Sequence, residues 1–223
     1  MQVITIIAII IGSYLIGSIN FSILISKSIS GKDIRESGSG NAGATNMLRT
    51  YGKKMAVITL LLDVLKGVIC VLAAVLYVRY INSPYINYNP AYREMISGMS
   101  LPYIAGVCVI LGHDFPLFFE FKGGKGVATS LGVVLMLDWK IGLLLAVCAI
   151  TVMAVTRYVS LGSVLGGIAF IVGETVKMIS DHDFNIVQFI CILILGGLLV
   201  AKHKANIKRL LNGTENKLGV KSK

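Results

Sequence analysis

Three short polar segments interrupt an otherwise apolar sequence, and their residue types suit the binding of phosphate groups. Polar segment 1 covers residues 38–46, polar segment 2 covers residues 121–126 and polar segment 3 covers residues 203–215. Each combines small or hydrogen-bonding residues with a nearby cation. Converging backbone N–H groups and cationic side chains are the groups with which proteins hold phosphate. The sequence therefore predicts an anion site built from separate stretches of chain.

Polar segment 1 contains glycines and neutral donors, and Arg49 follows it. Glycine adopts positive φ readily, so successive N–H groups can converge on an anion, and the arginine fork matches phosphate oxygens. The predicted ligands of phosphate in this segment are Gly38, Ser39, Gly40, Asn41, Gly43, Thr45 and Asn46. The alternative is a glycine-rich turn that only returns the chain to the membrane edge.

Polar segment 2 leads directly into a predicted helix. Its glycines, Gly123, Gly124 and Gly126, would leave N–H groups free at the positive end of the helix dipole, and Lys125 adds a charge. The GxxxxGK[ST] spacing of a Walker A loop is absent, so nucleotide hydrolysis is not indicated. The alternative is a basic interfacial loop whose glycines serve close packing.

Polar segment 3 has a helical spacing of functional groups. In a helix, His203 and Asn206 lie one turn apart on one face, and Arg209 follows three residues later. The alternative is a solvated amphipathic tail that anchors anionic lipid.

Three further ionisable residues stand within or beside apolar segments. Charges in a membrane helix are costly, so Asp63 and Lys66, three residues apart, are expected either to pair or to face a cavity, and a structural ion pair is favoured. His113 precedes polar segment 2 and is either a base or a hydrogen-bonded structural residue.

The elements that position these residues are membrane helices. Hydrophobic residues make up 55% of the chain, charged residues 14%, and the mean hydropathy is +0.79, which predicts an all-α integral membrane protein with a single membrane domain over residues 1–223. The first apolar segment is expected to be a retained span, since it lacks the basic start and is longer than the core of a signal peptide. The apolar segments lie near 3–26, 55–79, 95–112, 126–138, 140–156, 161–178 and 184–201.

The count of seven helices depends on a predicted hairpin within residues 127–156. Asp138, Trp139 and Lys140 interrupt this stretch, so two short helices fit better than one straight span. Seven spans place 16 of the 21 Lys and Arg residues, and all three polar segments, on one membrane face. The positive-inside rule then predicts an external N-terminus, a cytoplasmic C-terminus and an external loop at 81–92. Orientation thus explains the net charge of +10 without a nucleic-acid partner.

Four stretches resemble, in order, the bacterial acyl-phosphate:glycerol-3-phosphate acyltransferase (PlsY) family. They are residues 38–49, 112–129, 157–163 and 202–217. The resemblance implies a seven-helix enzyme of the bacterial plasma membrane with its active site on the cytoplasmic face. Such an enzyme moves a fatty acyl group from acyl-phosphate to the 1-hydroxyl of sn-glycerol 3-phosphate and makes lysophosphatidic acid, in the first acylation of phospholipid synthesis.

Transferred residue by residue, the resemblance also implies a set of site residues. The implied catalytic residues are Ser39, Arg49, Lys125, His203 and Asn206. The implied residues for binding substrate are the glycines and neutral donors of polar segments 1 and 2 together with Ser160 and Arg209, while Glu215 matches a structural glutamate. No cofactor or metal is expected. The expected partners are the two substrates and membrane lipid, with an acyl-phosphate-producing enzyme as a candidate.

Two mechanisms and two classes of protein compete at this point. Acyl-phosphate carries its own leaving group, so direct attack by the glycerol hydroxyl is favoured, with its proton passing to a substrate phosphate or to His203. The weaker alternative is an acyl-enzyme on Ser39. A carrier of organic phosphates is the other class, since cationic loops at helix ends also build transport sites. The absence of an HxxxxD motif and of an aspartate cluster argues against two further enzyme classes.

Overall fold

The computed structural model describes residues 2–82 and 100–219, and within these residues the regular structure is entirely helical. Most of the predicted external loop at 81–92 and the start of the predicted span at 95–112 lie outside the described residues. Short 3₁₀ turns cover Ile34–Glu36 and Leu117–Phe119. The α-helices are α1 (Gln2–Ser18), α2 (Phe21–Ser30), α3 (Ala44–Tyr51), α4 (Lys53–Ile81), α5 (Leu101–Asp114), α6 (Val127–Leu137), α7 (Trp139–Thr156), α8 (Val159–Ser180), α9 (Ile186–Lys202) and α10 (Lys204–Leu211).

Five segments within the described residues are long and apolar enough to cross a membrane. They are Val3–Ser30, Lys53–Ile81, Leu101–Phe119, Trp139–Thr156 and Val159–Ser180. Helices α9 and α10 add a sixth if they count as one span, although the chain bends by 55° between them. Helix α6 has 11 residues and is short for a crossing. The membrane class is therefore confirmed, while the number of seven spans and their sidedness stay predictions.

The predicted hairpin is confirmed, because α6 and α7 are separate helices that meet at Asp138. The Asp138 carboxylate caps α7 by accepting hydrogen bonds from the backbone N–H groups of Lys140 at 2.9 Å and Ile141 at 3.0 Å. The same carboxylate is paired with Lys177 of α8. One aspartate thus ends the first helix of the hairpin, starts the second and ties both to α8.

The first span is broken after Ser18, which the apolar pattern alone did not predict. Asn20 restarts the helix as an N-cap, because its side-chain oxygen accepts hydrogen bonds from the backbone of Ile23 at 3.2 Å and the hydroxyl of Ser22 at 2.7 Å. The break leaves carbonyl groups at the end of α1 without helical partners. These carbonyls become ligands of a buried lysine described below.

The helices approach one another closely at glycines. A Cβ atom added to Gly17 of α1 would stand 2.2 Å from the carbonyl oxygen of Val109 on α5, and one added to Gly132 of α6 would stand 2.1 Å from that of Val64 on α4. Small residues at such crossings are typical of membrane helices, where close van der Waals contact replaces the hydrophobic effect between helices. This packing fixes the helix ends that carry the polar segments.

Candidate active site

Asn46 holds polar segment 1 in shape. This fully buried side chain accepts a hydrogen bond from the backbone N–H of Ser39 at 2.8 Å and donates to the carbonyls of Ile34 at 3.1 Å and Ser37 at 2.9 Å. Its amide is therefore used within the loop. In this structure its oxygen and nitrogen position the segment, and the contact of Asn46 with phosphate stays a prediction.

Two of the three glycines in polar segment 1 have the predicted positive φ. Gly38 has φ of 59° and Gly40 has φ of 70°. Gly43 has an extended φ of −168°, so it does not adopt the positive φ that glycine permits. Its carbonyl accepts the first hydrogen bonds of α3, from Asn46 at 3.0 Å and Met47 at 3.1 Å. Gly43 therefore starts a helix and does not turn the loop.

The described part of the chain uses the backbone N–H groups of Gly40 and Gly43, which donate to the carbonyls of Ser37 and Asn41 at 3.1 Å each, but not the side chains of Ser39 and Arg49. Ser39 is exposed at the loop surface, and Arg49 is half-buried on α3, as are Asn41 and Thr45 at the base of the loop. Across residues 2–82 and 100–219, no hydrogen bond or ion pair holds the Ser39 hydroxyl or the Arg49 guanidinium. Both groups are thus available to a ligand.

Arg35 ties polar segment 1 to polar segment 2. Its guanidinium lies 2.8 Å from the Asp33 carboxylate and donates to the backbone carbonyls of Phe119 and Lys122, each at 3.0 Å. Burial raises the pKa of Asp33, but the hydrogen bonds and charge of Arg35 outweigh it and hold that pKa below its ordinary value. Sequence reasoning missed this contact, because an aspartate and an arginine two residues apart give no signal of a link across the fold.

The glycines of polar segment 2 serve close packing. A Cβ atom on Gly124 would stand 2.1 Å from Nε2 of His113 and 2.6 Å from the carbonyl oxygen of Ala42, and one on Gly123 would stand 2.0 Å from the carbonyl oxygen of His113. The backbone N–H groups of Gly123 and Gly124 donate to the carbonyls of Asp114 at 3.3 Å and His113 at 3.1 Å. The protein already uses these two N–H groups, and the binding of phosphate at Gly123 and Gly124 stays a prediction.

The remaining residues of polar segment 2 stand at the start of α6. Gly126 has φ of 71° and is the N-cap residue, so glycine is required there for its left-handed conformation. The N–H groups of the first turn of α6 have no partners within the helix. Lys125, half-buried, precedes them and donates a hydrogen bond to the side-chain oxygen of Asn206. Polar segments 2 and 3 therefore meet at Lys125.

Glu215 organises polar segment 3. One oxygen of its carboxylate accepts hydrogen bonds from Asn206 at 2.6 Å and Ser160 at 2.8 Å, and the other accepts from Nε of Arg209 at 2.7 Å. Burial alone would raise the pKa of Glu215. The hydrogen bonds and the charge of Arg209 have the larger effect together, so this pKa lies below its ordinary value. The hydroxyl of Ser160 and one face of Arg209, both predicted to bind phosphate, are thus engaged by Glu215.

Lys125 lies in a strongly cationic environment. The pKa of its amine is lowered to about 8, chiefly by burial, with the charges of Arg209 and Arg49 acting in the same direction and Glu215 opposing them. Hydrogen bonds also connect Lys125 to Arg209, since Lys125 donates to Asn206, and Asn206 and Arg209 both donate to Glu215. Such a cluster attracts a dianion such as a phosphate monoester, which would relieve the repulsion between the cations.

His203 is a buried, neutral imidazole at the junction of α9 and α10. Its Nδ1 lies 2.8 Å from the carbonyl oxygen of Leu199, which can only accept, so Nδ1 carries the proton and Nε2 keeps a free lone pair. Burial lowers the pKa of His203 to about 4. The imidazole is therefore unprotonated near neutral pH, and its Nε2 can accept a proton.

Replacing Glu215 with glutamine tests its organising role. Glutamine keeps the size of the side chain but removes the charge that Arg209 and Asn206 share, so we expect a loss of about 1–3 kcal/mol in the free energy of unfolding and a clear loss of ligand affinity. Thermal unfolding and binding of a phosphate monoester in detergent would measure both. Glu120→Gln is the matched control, because that carboxylate is exposed and makes only a surface pair with Lys122 at 3.5 Å. Equal behaviour of the two variants would contradict this role.

The fold and the site together define a class of protein. It is a helical integral membrane protein in which loops at the ends of separate helices bring together several cations, a lysine of lowered pKa and a neutral histidine. These groups suit phosphate-bearing substrates.

Comparison with known proteins identifies the family. The chain belongs to the glycerol-3-phosphate acyltransferase family, whose model matches residues 7–213. The glycerol-3-phosphate acyltransferase of Clostridioides difficile (strain 630) is 43% identical over 222 residues, covering 99% of each chain. That of Halalkalibacterium halodurans is 43% identical over 213 residues, covering 95% of each chain.

Solved structures agree with this assignment. The chain is similar to the crystal structure of PlsY (YgiH), an integral membrane glycerol 3-phosphate acyltransferase, in its glycerol 3-phosphate form, with a TM-score of 0.79, 34% identity and 96% coverage of each chain. The lysophosphatidic acid form of the same enzyme gives a TM-score of 0.75 at 33% identity, covering 96% of this chain and 95% of that one. The resemblance drawn from the four sequence stretches is therefore confirmed at the level of the family.

Proposed function

We propose that this protein transfers a fatty acyl group from acyl-phosphate to the 1-hydroxyl of sn-glycerol 3-phosphate, giving lysophosphatidic acid and phosphate. The observation that carries the proposal is the hydrogen bond from Lys125 to Asn206, which stands three residues after the neutral imidazole of His203. The forms in which the related PlsY was solved, with glycerol 3-phosphate and with lysophosphatidic acid, support the same acceptor and product.

The proposed reaction is a direct transfer. The glycerol hydroxyl attacks the acyl carbon, a new carbon–oxygen bond forms, and the bond from that carbon to the phosphate oxygen breaks. The hydroxyl proton passes to Nε2 of His203 or to a substrate phosphate, and phosphate leaves with the bonding electrons. Arg49 and Lys125, with the Ser39 hydroxyl, hold the phosphates and stabilise charge as it develops on the leaving group.

An acyl-enzyme on Ser39 is the alternative mechanism. The structure favours direct transfer, because no base among the described residues forms a hydrogen bond with the Ser39 hydroxyl and would activate it. Steady-state kinetics with both substrates varied would separate the two mechanisms. Ping-pong patterns together with a trapped acyl-Ser39 would overturn direct transfer.

The proposed setting is the bacterial plasma membrane. Seven spans with an external N-terminus and a cytoplasmic C-terminus would place all three polar segments, and so the active site, at the cytoplasmic face. The proposal treats residues 1–223 as a single membrane acyltransferase domain that meets its acyl donor in the lipid phase. An enzyme that produces acyl-phosphate is the candidate protein partner.

An assay of donor choice tests the proposed function. Purified protein in lipid vesicles would receive labelled glycerol 3-phosphate with either palmitoyl-phosphate or palmitoyl-CoA, and lysophosphatidic acid would be measured. We expect product with palmitoyl-phosphate alone. Product only with palmitoyl-CoA would refute acyl-phosphate as the acyl donor. No transfer from either donor, combined with saturable uptake of glycerol 3-phosphate, would indicate a carrier.

The pKa of Lys125 predicts how activity depends on pH. Its amine has a pKa of about 8 without ligand, so the cation that holds phosphate is lost as pH rises through that value. We expect kcat/KM for glycerol 3-phosphate to be level near pH 7 and then to fall about tenfold per pH unit above 8. In Lys125→Arg protein, whose guanidinium stays charged, any remaining activity would lack this alkaline decline. A decline of equal shape in that variant would assign the titration to another group.

A further inference from the structure

A buried ionic cluster lies beneath polar segment 2. Its members are Asp63 and Lys66 of α4 and His113 of α5, which we call the buried triad, and each is at most 3% exposed. Nζ of Lys66 lies 3.0 Å from the Asp63 carboxylate and 2.8 Å from Nδ1 of His113. The expected ion pair between Asp63 and Lys66 is confirmed, and the histidine is its third member.

Lys66 also holds the break in the first span. Its ammonium donates to the carbonyls of Gly17 at 3.1 Å and Ile19 at 3.0 Å, the groups that the end of α1 leaves without helical partners. The amine therefore joins α4, the junction of α1 with α2, and α5. Helix α2 leads directly into polar segment 1, so the position of Lys66 bears on that loop as well.

The third member of the buried triad supports polar segment 2. Because Lys66 donates to Nδ1 of His113, the ring proton stands on Nε2, the atom that faces Gly124. Gly124 lies between this imidazole and the carbonyl of Ala42, which belongs to polar segment 1. Lys125 follows Gly124 directly. The two loops and Lys125 are therefore positioned by packing against this imidazole.

We propose that the buried triad is a positioning network for the phosphate site: Lys66, balanced by Asp63, orients His113, and His113 sets the place of the Gly124 backbone and therefore of Lys125. The inference rests on the proposed function of the same site. None of the three residues is a catalytic residue, because all three lie beneath the loop and act through Gly124.

A pair that only stabilised the membrane fold would not need this arrangement. Charges buried in a membrane helix cost free energy and are found where they serve a site or a pathway. Here the ammonium is shared between a helix break that leads to polar segment 1 and a ring that contacts polar segment 2. Both connections end at loops that carry candidate ligand groups.

The test uses a double variant, Asp63→Asn/Lys66→Met, which removes both members of the ion pair together. In lipid nanodiscs we expect its KM for glycerol 3-phosphate to rise roughly tenfold or more, with a smaller change in kcat, since Lys125 is displaced but still present. We also expect the fall of kcat/KM at alkaline pH to begin about half a pH unit higher, because a displaced Lys125 is better solvated and its pKa rises. Lys54→Met, an exposed lysine at the start of the same helix, is the matched control and should change neither value.

A second variant keeps the inference testable if the double variant does not fold. His113→Gln retains an acceptor for Lys66 but removes the ring that faces Gly124. It should also raise KM and shift the alkaline fall of kcat/KM to higher pH. If KM and the pH at which kcat/KM falls are both unchanged in the folded double variant, or in His113→Gln, the positioning role is overturned.

Direct binding separates this inference from the proposed function. Equilibrium dialysis with labelled glycerol 3-phosphate would be carried out on wild-type protein and on the variants. Wild-type protein that transfers no acyl group from either donor refutes the proposed function. Weaker binding by the variants in that case would still support the positioning of a phosphate site, and equal binding would overturn it.

Discussion

Replacing Lys125 with methionine is expected to lower kcat/KM for glycerol 3-phosphate by about 10²–10³-fold, the usual effect of removing one group that stabilises developing charge. Methionine fills much of the same half-buried space, so the fold should persist. The variant loses the cation at the centre of the site and its hydrogen bond to Asn206. The measurement is acyl transfer from palmitoyl-phosphate in vesicles, with both substrates varied.

Lys122→Met is the control for this prediction. Lys122 lies in the same basic loop, but its ammonium is exposed and makes only the long surface pair with Glu120. We expect its kcat/KM to stay within about twofold of the wild-type value, since exposed pairs contribute little. Equal losses in both variants would mean that the loop acts through its general positive charge, and no loss in either would exclude Lys125 from the site.

The features of the fold that sequence predicts are those encoded locally. The apolar runs set the helices, and the polar residues around Trp139 placed the hairpin, because Asp138 is both an interruption and an N-cap. The break after Ser18 was not predicted, since the few small polar residues around Asn20 do not interrupt the apolar character of the segment. Its effect depends on Lys66, which is distant in sequence and satisfies the exposed carbonyls.

In the candidate site too, locally encoded features are predicted from sequence and contacts between distant segments are not. The residue types in the polar segments predict phosphate binding, and no residue in the described part of the chain holds the side chains of Arg49 and Ser39. Sequence does not reveal which polar groups form hydrogen bonds within the protein. The side chain of Asn46 bonds to its own loop, and the hydroxyl of Ser160 bonds to Glu215. That assignment depends on distances between segments, which no spacing within one segment encodes.

The second large effect is expected from Gly124→Ala, and it tests the close packing of the two loops. Gly124 does not have positive φ, so alanine is allowed by the backbone and only space forbids it. The added methyl group would stand 2.1 Å from Nε2 of His113 and 2.6 Å from the Ala42 carbonyl, and both contacts are far too short. The loop must therefore move away from polar segment 1 and carry Lys125 with it.

We expect Gly124→Ala to lower acyl transfer by about 10²-fold, the effect of a misplacement near 1 Å, while overpacking costs only about 1–3 kcal/mol of stability. Gly166→Ala on α8 is the matched control, because no atom lies within 4 Å of the added methyl group, and it should leave activity unchanged without lowering stability. Shortening His113 to alanine should not restore Gly124→Ala, since the Ala42 carbonyl still blocks the methyl group. Full activity of Gly124→Ala would show that Lys125 does not depend on the contact between the loops.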